Sequence, residues 1–226
     1  MRTARILLAL ALAWPSIGFA ALPSDSKDVD SVPLVWNPSA PEGGIRAGMI
    51  DLALFGGVRI RIDRFEDRRE GDKTRLGTRA GKAGPVEVTT PDDVPKFVTD
   101  RMLLALERLG LTAIDDRRLR VWGAKLEPRK APVVRLRGEL LGLRADQGKL
   151  LEAEARLGVV VEDAQGKPIW SGTSAGRAGR EARKYSLEDW QETISDALAE
   201  AIAQLARSED FVRALSGRRE GAEAAP

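Results

Sequence analysis

The sequence predicts an α+β fold, a mostly antiparallel sheet ending in a meander and covered on one face by two helices. Three observations predict it. Residues 133–176 hold three consecutive runs in which apolar and polar side chains alternate with period two. Two other segments, starting near Val94 and Leu187, repeat their apolar residues every three and four positions. The chain has 226 residues, 43% of them hydrophobic and 31% charged, which is long and apolar enough to bury a core without a metal or disulfide.

The first twenty residues read as an address. Arg2 and Arg5 precede an unbroken apolar run, Ile6 to Trp14, that Pro15 ends. Gly18-Phe19-Ala20 then places small residues at the −3 and −1 positions of a cut before Ala21. The run falls far short of the ~20 residues that span a bilayer. The expectation is a signal peptide over 1–20 and a mature chain in the periplasm with no transmembrane segment. A lipoprotein signal needs a cysteine just after the cut, and the chain has no cysteine.

Residues 21–47 form a proline-rich arm punctuated by Pro23, Pro33, Pro38 and Pro41, where no helical period survives. Val32, Leu34, Val35 and Trp36 can still lay one extended segment on the domain surface. The domain itself is expected over 48–216, followed by a frayed tail, 217–226. It opens strand-like from Gly48 to Asp67: Val58, Ile60 and Ile62 point one way, and Arg59, Arg61 and Asp63 the other. Phe65 is out of step, as at a strand end, and Gly56-Gly57 marks a bend. Residues 66–84 are dense in charge and carry four glycines, which reads as a solvated mobile loop closed by a short strand, Val86–Val88.

Thr90-Pro91-Asp92-Asp93 starts a helix, because Thr90 or an aspartate can cap its free N–H groups. Val94, Phe97, Val98, Met102, Leu103, Leu106 and Leu109 are its apolar stripe, and Gly110 ends it. Leu111–Ile114 and Arg118–Glu127 are strand-like. The meander follows as Val133–Arg144, Leu150–Glu162 and Lys167–Gly176, with Leu151, Ala153, Ala155, Leu157, Val159 and Val161 filling one face of its middle strand. A sheet apolar on one side needs a cover. Ser186 caps the helix that supplies it, with Leu187, Trp190, Ile194, Leu198, Ile202 and Leu205 facing inward. Ser208–Leu215 adds a short last helix.

Composition narrows the chemistry. With neither cysteine nor histidine, thiol nucleophiles, serine–histidine dyads, haem attachment and nearly all zinc catalysis are excluded. The segment Gly77 to Ala83 misses a phosphate-binding loop by one spacer residue and by its magnesium-binding hydroxyl. The acids between Asp63 and Asp72 each have arginine neighbours and read as a solvated salt-bridge face, and no cofactor is implied. Trp122, Trp170 and Trp190 read as packing residues. Losing Arg2 and Arg5 takes the net charge from +2 to zero, so no global field favours nucleic acid. What remains for function is local. The loops at 66–84 and 177–185 offer Arg68, Arg69, Arg177, Arg180, Arg183 and Lys184 as contacts to carboxylates or phosphates on a partner.

Several motifs carry a resemblance. Phe65-Glu66-Asp67-Arg68 followed by Leu76-Gly77 is similar to the opening of the YajG family of bacterial envelope lipoproteins. The helix exit Leu109-Gly110, the meander from Glu152-Ala153 through Asp163, Gly166-Lys167 and Trp170-Ser171-Gly172, and the close Asp210-Phe211-Val212 with Leu215 follow in the same order. The resemblance covers about 58–216, and the missing lipobox cysteine is a departure from it. It implies an α+β domain facing the periplasm, without an established catalytic role. The functional expectation is a soluble, non-enzymatic accessory or structural protein that binds an envelope protein or anionic envelope component. The alternatives are a lipid or glycan carrier, which needs an apolar groove between helices and sheet, and a hydrolase, which needs two facing acids in a cleft.

Overall fold

The computed structural model describes residues 29–40, 50–55, 58–115, 133–182 and 184–217. One long strand organises them. β7 (Val133–Gln147) forms an antiparallel hairpin with β8 (Leu150–Glu162), and β8 pairs antiparallel with β9 (Pro168–Glu181). The predicted meander is therefore present, with its first strand three residues longer than expected and its last four. A bulge at Leu141 resets β7, so the inward set passes from Leu136 and Leu140 to Leu143 and Ala145.

The other edge of β7 corrects the expectation. Three short strands lie along it in succession, all parallel to it: β2 (Arg59–Ile62), β3 (Glu66–Asp67) and β4 (Arg75–Gly81). β6 (Thr112–Asp115) extends the sheet beyond β2 in parallel, and β5 (Gly84–Thr89) pairs antiparallel with β4. The sheet is mixed. The segment 66–84, expected as a mobile loop, is mostly strand, because Leu76 turns inward to 1% exposure and anchors β4. Gly77 must lack a side chain: at φ +155° a Cβ there would sit 1.7 Å from the Ala145 carbonyl oxygen. The long strand expected over 48–67 is shorter too, since Leu52–Phe55 is a 3-10 helix.

Three α-helices join the sheet, the two expected to cover it and the short last one. α1 (Val94–Arg108) is capped by Asp93, whose side chain accepts from the Lys96 N–H, and Gly110 follows it at φ +86°. α2 (Leu187–Arg207) is capped by Ser186 as predicted, and α3 (Glu209–Leu215) by Ser208. α2 lies on β8 and β9, where a Cβ on Gly176 would come within 2.1 Å of the Ala197 carbonyl oxygen. The predicted cover is in place: Trp190, Ile194, Leu198 and Ile202 share one buried cluster with Leu157, Val159 and Val161. The Phe65 ring covers Gly138 of β7, and Trp170 packs on Phe211 of α3 with ring centroids 5.1 Å apart.

The arm contributes more than a surface segment. β1 (Val29–Ser31) pairs parallel with β5, and Val32 is fully buried. Residues 33–39 then run as a strap over the helices. Gln191 Nε2 donates to the Pro33 carbonyl, Ser195 Oγ donates to the Val35 carbonyl and accepts from the Asn37 N–H, and the Ser39 N–H donates to Asp196. A domain boundary drawn at 48 leaves this strand and strap outside the fold they complete. The expected signal peptide, Gly56-Gly57, the run Arg118–Glu127 with Trp122, Arg183 and the tail beyond Gly217 lie outside the described residues.

Candidate functional site

The cations expected to act together are separated by strand parity. Arg177 and Arg180 both lie on β9 rather than in a loop, three residues apart, so their side chains leave opposite faces of the sheet. Arg177 stands on the outer face, 80% exposed, 3.3 Å from Glu154 of β8. Arg180 points to the helix side and meets three acids of α2: Glu192, Asp196 at 3.3 Å and Asp189 at 3.7 Å. These acids recur at three and four residues, one stripe of the helix. The hydrogen bond to Glu192 raises the Arg180 pKa against its burial, and the same bond holds the Glu192 carboxyl below its ordinary value. Arg180 is a clamp between strand and helix. Lys184 is exposed, and its carbonyl accepts from Gln147 Nε2 at 3.1 Å.

The pair Arg68 and Arg69 divides in the same way. Arg69 is buried to 6% exposure, pairs with Asp67 at 2.8 Å and donates to the Lys73 carbonyl, thereby tying the 68–74 loop to the sheet. Burial pushes the Asp67 carboxyl up, but hydrogen bonds and charge from Arg69, with Lys73, outweigh it and hold the group below the usual carboxylate value. Arg68 stays exposed and bridges Glu66 at 2.7 Å and Glu139 at 3.6 Å. It lines one end of an open groove of about 730 Å³ on the outer face, with Arg75, Arg144, Asp146, Glu154 and Arg156.

Across that face the register aligns Arg144, Glu154 and Arg177 on three adjacent strands. The result is a polar surface of alternating charge. Among the described residues Arg156 has no carboxylate partner in this surface, and no three acids gather where a metal ion could be held. At Gly176 the backbones of β9 and α2 are in close contact, with no space between strand and helix at that point.

A second constellation lies where the strap crosses the helices, and sequence reading missed it. Trp36 packs on Phe97 of α1, centroids 6.3 Å apart, and the Arg101 guanidinium lies 5.4 Å from each ring. Arg101, Leu104, Ala105 and Arg108 form one stripe of α1 facing Ala199 and Ile202 of α2 around a small cavity. The signal was available, because two arginines seven residues apart on an amphipathic helix share a face. Which face the arm would cover was not.

No protein-family model matches the chain, and neither does any curated protein. Solved structures with a similar course include protein XCC0632 from Xanthomonas campestris, of family DUF330, at 12% identity and a TM-score of 0.44, covering 84% of this chain and 96% of that one. Lipoprotein GNA1162 from Neisseria meningitidis is similar at 10% identity and 0.34 over 58% and 90% of the two chains. The PelC dodecamer from Paraburkholderia phytofirmans is similar at 12% and 0.36 over 64% and 86%. At these scores none of the three bears on the function of this chain. Among the described residues no helix is long and apolar enough to cross a membrane.

Proposed function

We propose that this is an exported accessory protein of the bacterial cell envelope, similar to the YajG family, that acts by binding a partner and not by turning over a substrate. The leader-like N-terminus and the ordered motifs from Phe65 to Leu215 support the address. The observation that carries the binding reading is the fate of the carboxylates. Asp63 pairs with Arg135 at 2.6 Å, Asp67 with Arg69, Glu162 with Arg137 at 3.1 Å, and Asp93 with Arg64 at 2.7 Å. For Asp67 the hydrogen bonds and charge of Arg69 hold the carboxyl below its usual value, which makes it a poor proton donor near neutral pH, and the other three are engaged in ion pairs within the fold.

The contact surface is the outer face of β7, β8 and β9, where Arg68, Arg144, Arg156 and Arg177 stand among acids. Paired side chains at 80% and 59% exposure are weakly held and can exchange an internal acid for one on a partner. The test is co-purification from native periplasmic extract, with mass spectrometry of proteins and lipids, comparing the natural chain with an Arg68→Glu, Arg156→Glu, Arg177→Glu variant. The reading expects one partner retained by the natural chain and lost by the variant at unchanged melting temperature. Turnover of an ester, glycan or phosphate substrate that disappears on changing a single acid would refute it.

A further inference from the structure

We propose that the corner where the strap crosses α1 and α2 is an oxyanion site, binding one phosphate or carboxylate group between Trp36, Arg101 and Arg108. It is a different surface from the sheet face above and does not depend on the partner reading.

Two donors at this corner are shielded from solvent and have no acceptor, the Trp36 indole Nε1 and the Arg101 Nε. Buried donors are ordinarily satisfied, so two orphans side by side ask for an acceptor. The charges ask for the same thing. Arg101 and Arg108 lie on one stripe of α1, and among the described residues neither has a carboxylate ion partner. Asp100, next to Arg101 in sequence, is engaged by Lys96 at 2.7 Å. Burial holds Arg101 below the ordinary arginine value; Asp100 opposes that, and repulsion from Arg108 adds to it. Arg68, Arg69, Arg177 and Arg180, in contrast, all have acids in place.

The cavity measures about 10 Å³. That is room for a single oxygen atom and no more. Its apolar walls, Leu104, Ala105 and Ile202, lower the local dielectric and strengthen any charge-assisted bond formed there. A water molecule in this space would satisfy the indole and leave both guanidinium groups uncompensated. An oxyanion does both: one oxygen enters the cavity toward the indole, and the others stay at the mouth toward Arg101 and Arg108. The strap completes the site, since Trp36 comes from the arm and both arginines from α1.

The test titrates the full chain with inorganic phosphate at constant ionic strength, following the indole N–H resonances. In parallel, its sedimentation is measured with phosphatidylglycerol vesicles and with neutral phosphatidylcholine vesicles. The site expects a saturable shift of the Trp36 indole signal, which is assigned by its disappearance in Trp36→Phe, with binding weakened about tenfold or more by Arg101→Gln or by Arg108→Gln at unchanged melting temperature. Should Arg101→Gln fail to fold, Arg108→Gln carries the reading. Binding of both phosphate and anionic vesicles marks a group taken free or on a lipid, and binding of anionic vesicles alone marks a headgroup. Absence of both, or binding that survives the Arg101→Gln, Arg108→Gln double variant, overturns the proposal.

Discussion

Arg177 and Arg180 show how two neighbouring cations of one sequence patch acquire unrelated roles. Reversing the exposed one should leave stability within about ±0.5 kcal/mol, because Arg177 faces water and a single acid. Reversing Arg180 places a carboxylate against Asp189, Glu192 and Asp196, and we expect Arg180→Glu to cost about 1–3 kcal/mol after allowing for its partial exposure. Chemical denaturation of the two variants side by side measures the difference; equal midpoints would mean that the clamp contributes nothing. The same cluster sets a pH dependence. The folded-state pKa values of Glu192 and Asp67 are both depressed, so their stabilisation is complete above the ordinary carboxylate range and is lost as pH falls through the folded values. Melting temperature followed downward from neutral pH should therefore begin to fall near the ordinary glutamate value of 4.5 and continue below it, and Glu192→Gln should flatten that fall.

At the scale of elements, α2 and β9 meet backbone to backbone at Gly176. Gly176→Ala drives a methyl group into the helix backbone, 2.1 Å from the Ala197 carbonyl oxygen and 2.4 Å from the Ala201 nitrogen. A helix cannot yield there without losing its seat, so a loss of about 1–3 kcal/mol is expected. Gly148→Ala, with nothing within 4 Å of the added atom, is the control and should be close to neutral. Leu198→Ala on the same helix removes a fully buried side chain and should cost ~2–5 kcal/mol. An unchanged midpoint for Leu198→Ala would mean that α2 does not cover the sheet.

For the whole molecule, the arm is the deciding element. Removing residues 29–40 strips a strand from β5, a fully buried Val32 and the strap that bridges α1 and α2. A chain begun at residue 41 should lose about 3 kcal/mol or more, read as a lower urea midpoint at an unchanged slope. Limited proteolysis should spare 75–81 and 84–89, which are paired strands, and reach the Lys82–Ala83 turn first. Rapid cleavage throughout 66–84 would restore the mobile-loop reading.

The meander, α1, α2 and their caps were legible because each is written in local terms. Period two from Leu151 to Val161, stripes at three and four residues, Ser186 before a helix and Gly110 after one all reflect geometry that spans a few residues. Along the first edge of β7, the alternation of Val58, Ile60 and Ile62 announced β2 as a strand, but β3 and β4 were not legible, and neither was the parallel pairing of all three. β3 holds only two residues, β4 lies in a charged stretch broken by glycines, and the partners of all three lie some seventy residues away. The surroundings of the candidate residues were hidden for the same reason. The charges at 66–84 and 177–185 were visible, but whether a guanidinium meets solvent or an acid depends on which face of a strand it leaves and on what packs there. Residue types determined that this protein would have one wet sheet face and helices on the other. Only tertiary packing decided that Arg69 and Arg180 are spent inside the fold, and that Trp36, carried in by an arm, meets Arg101 and Arg108 across a helix.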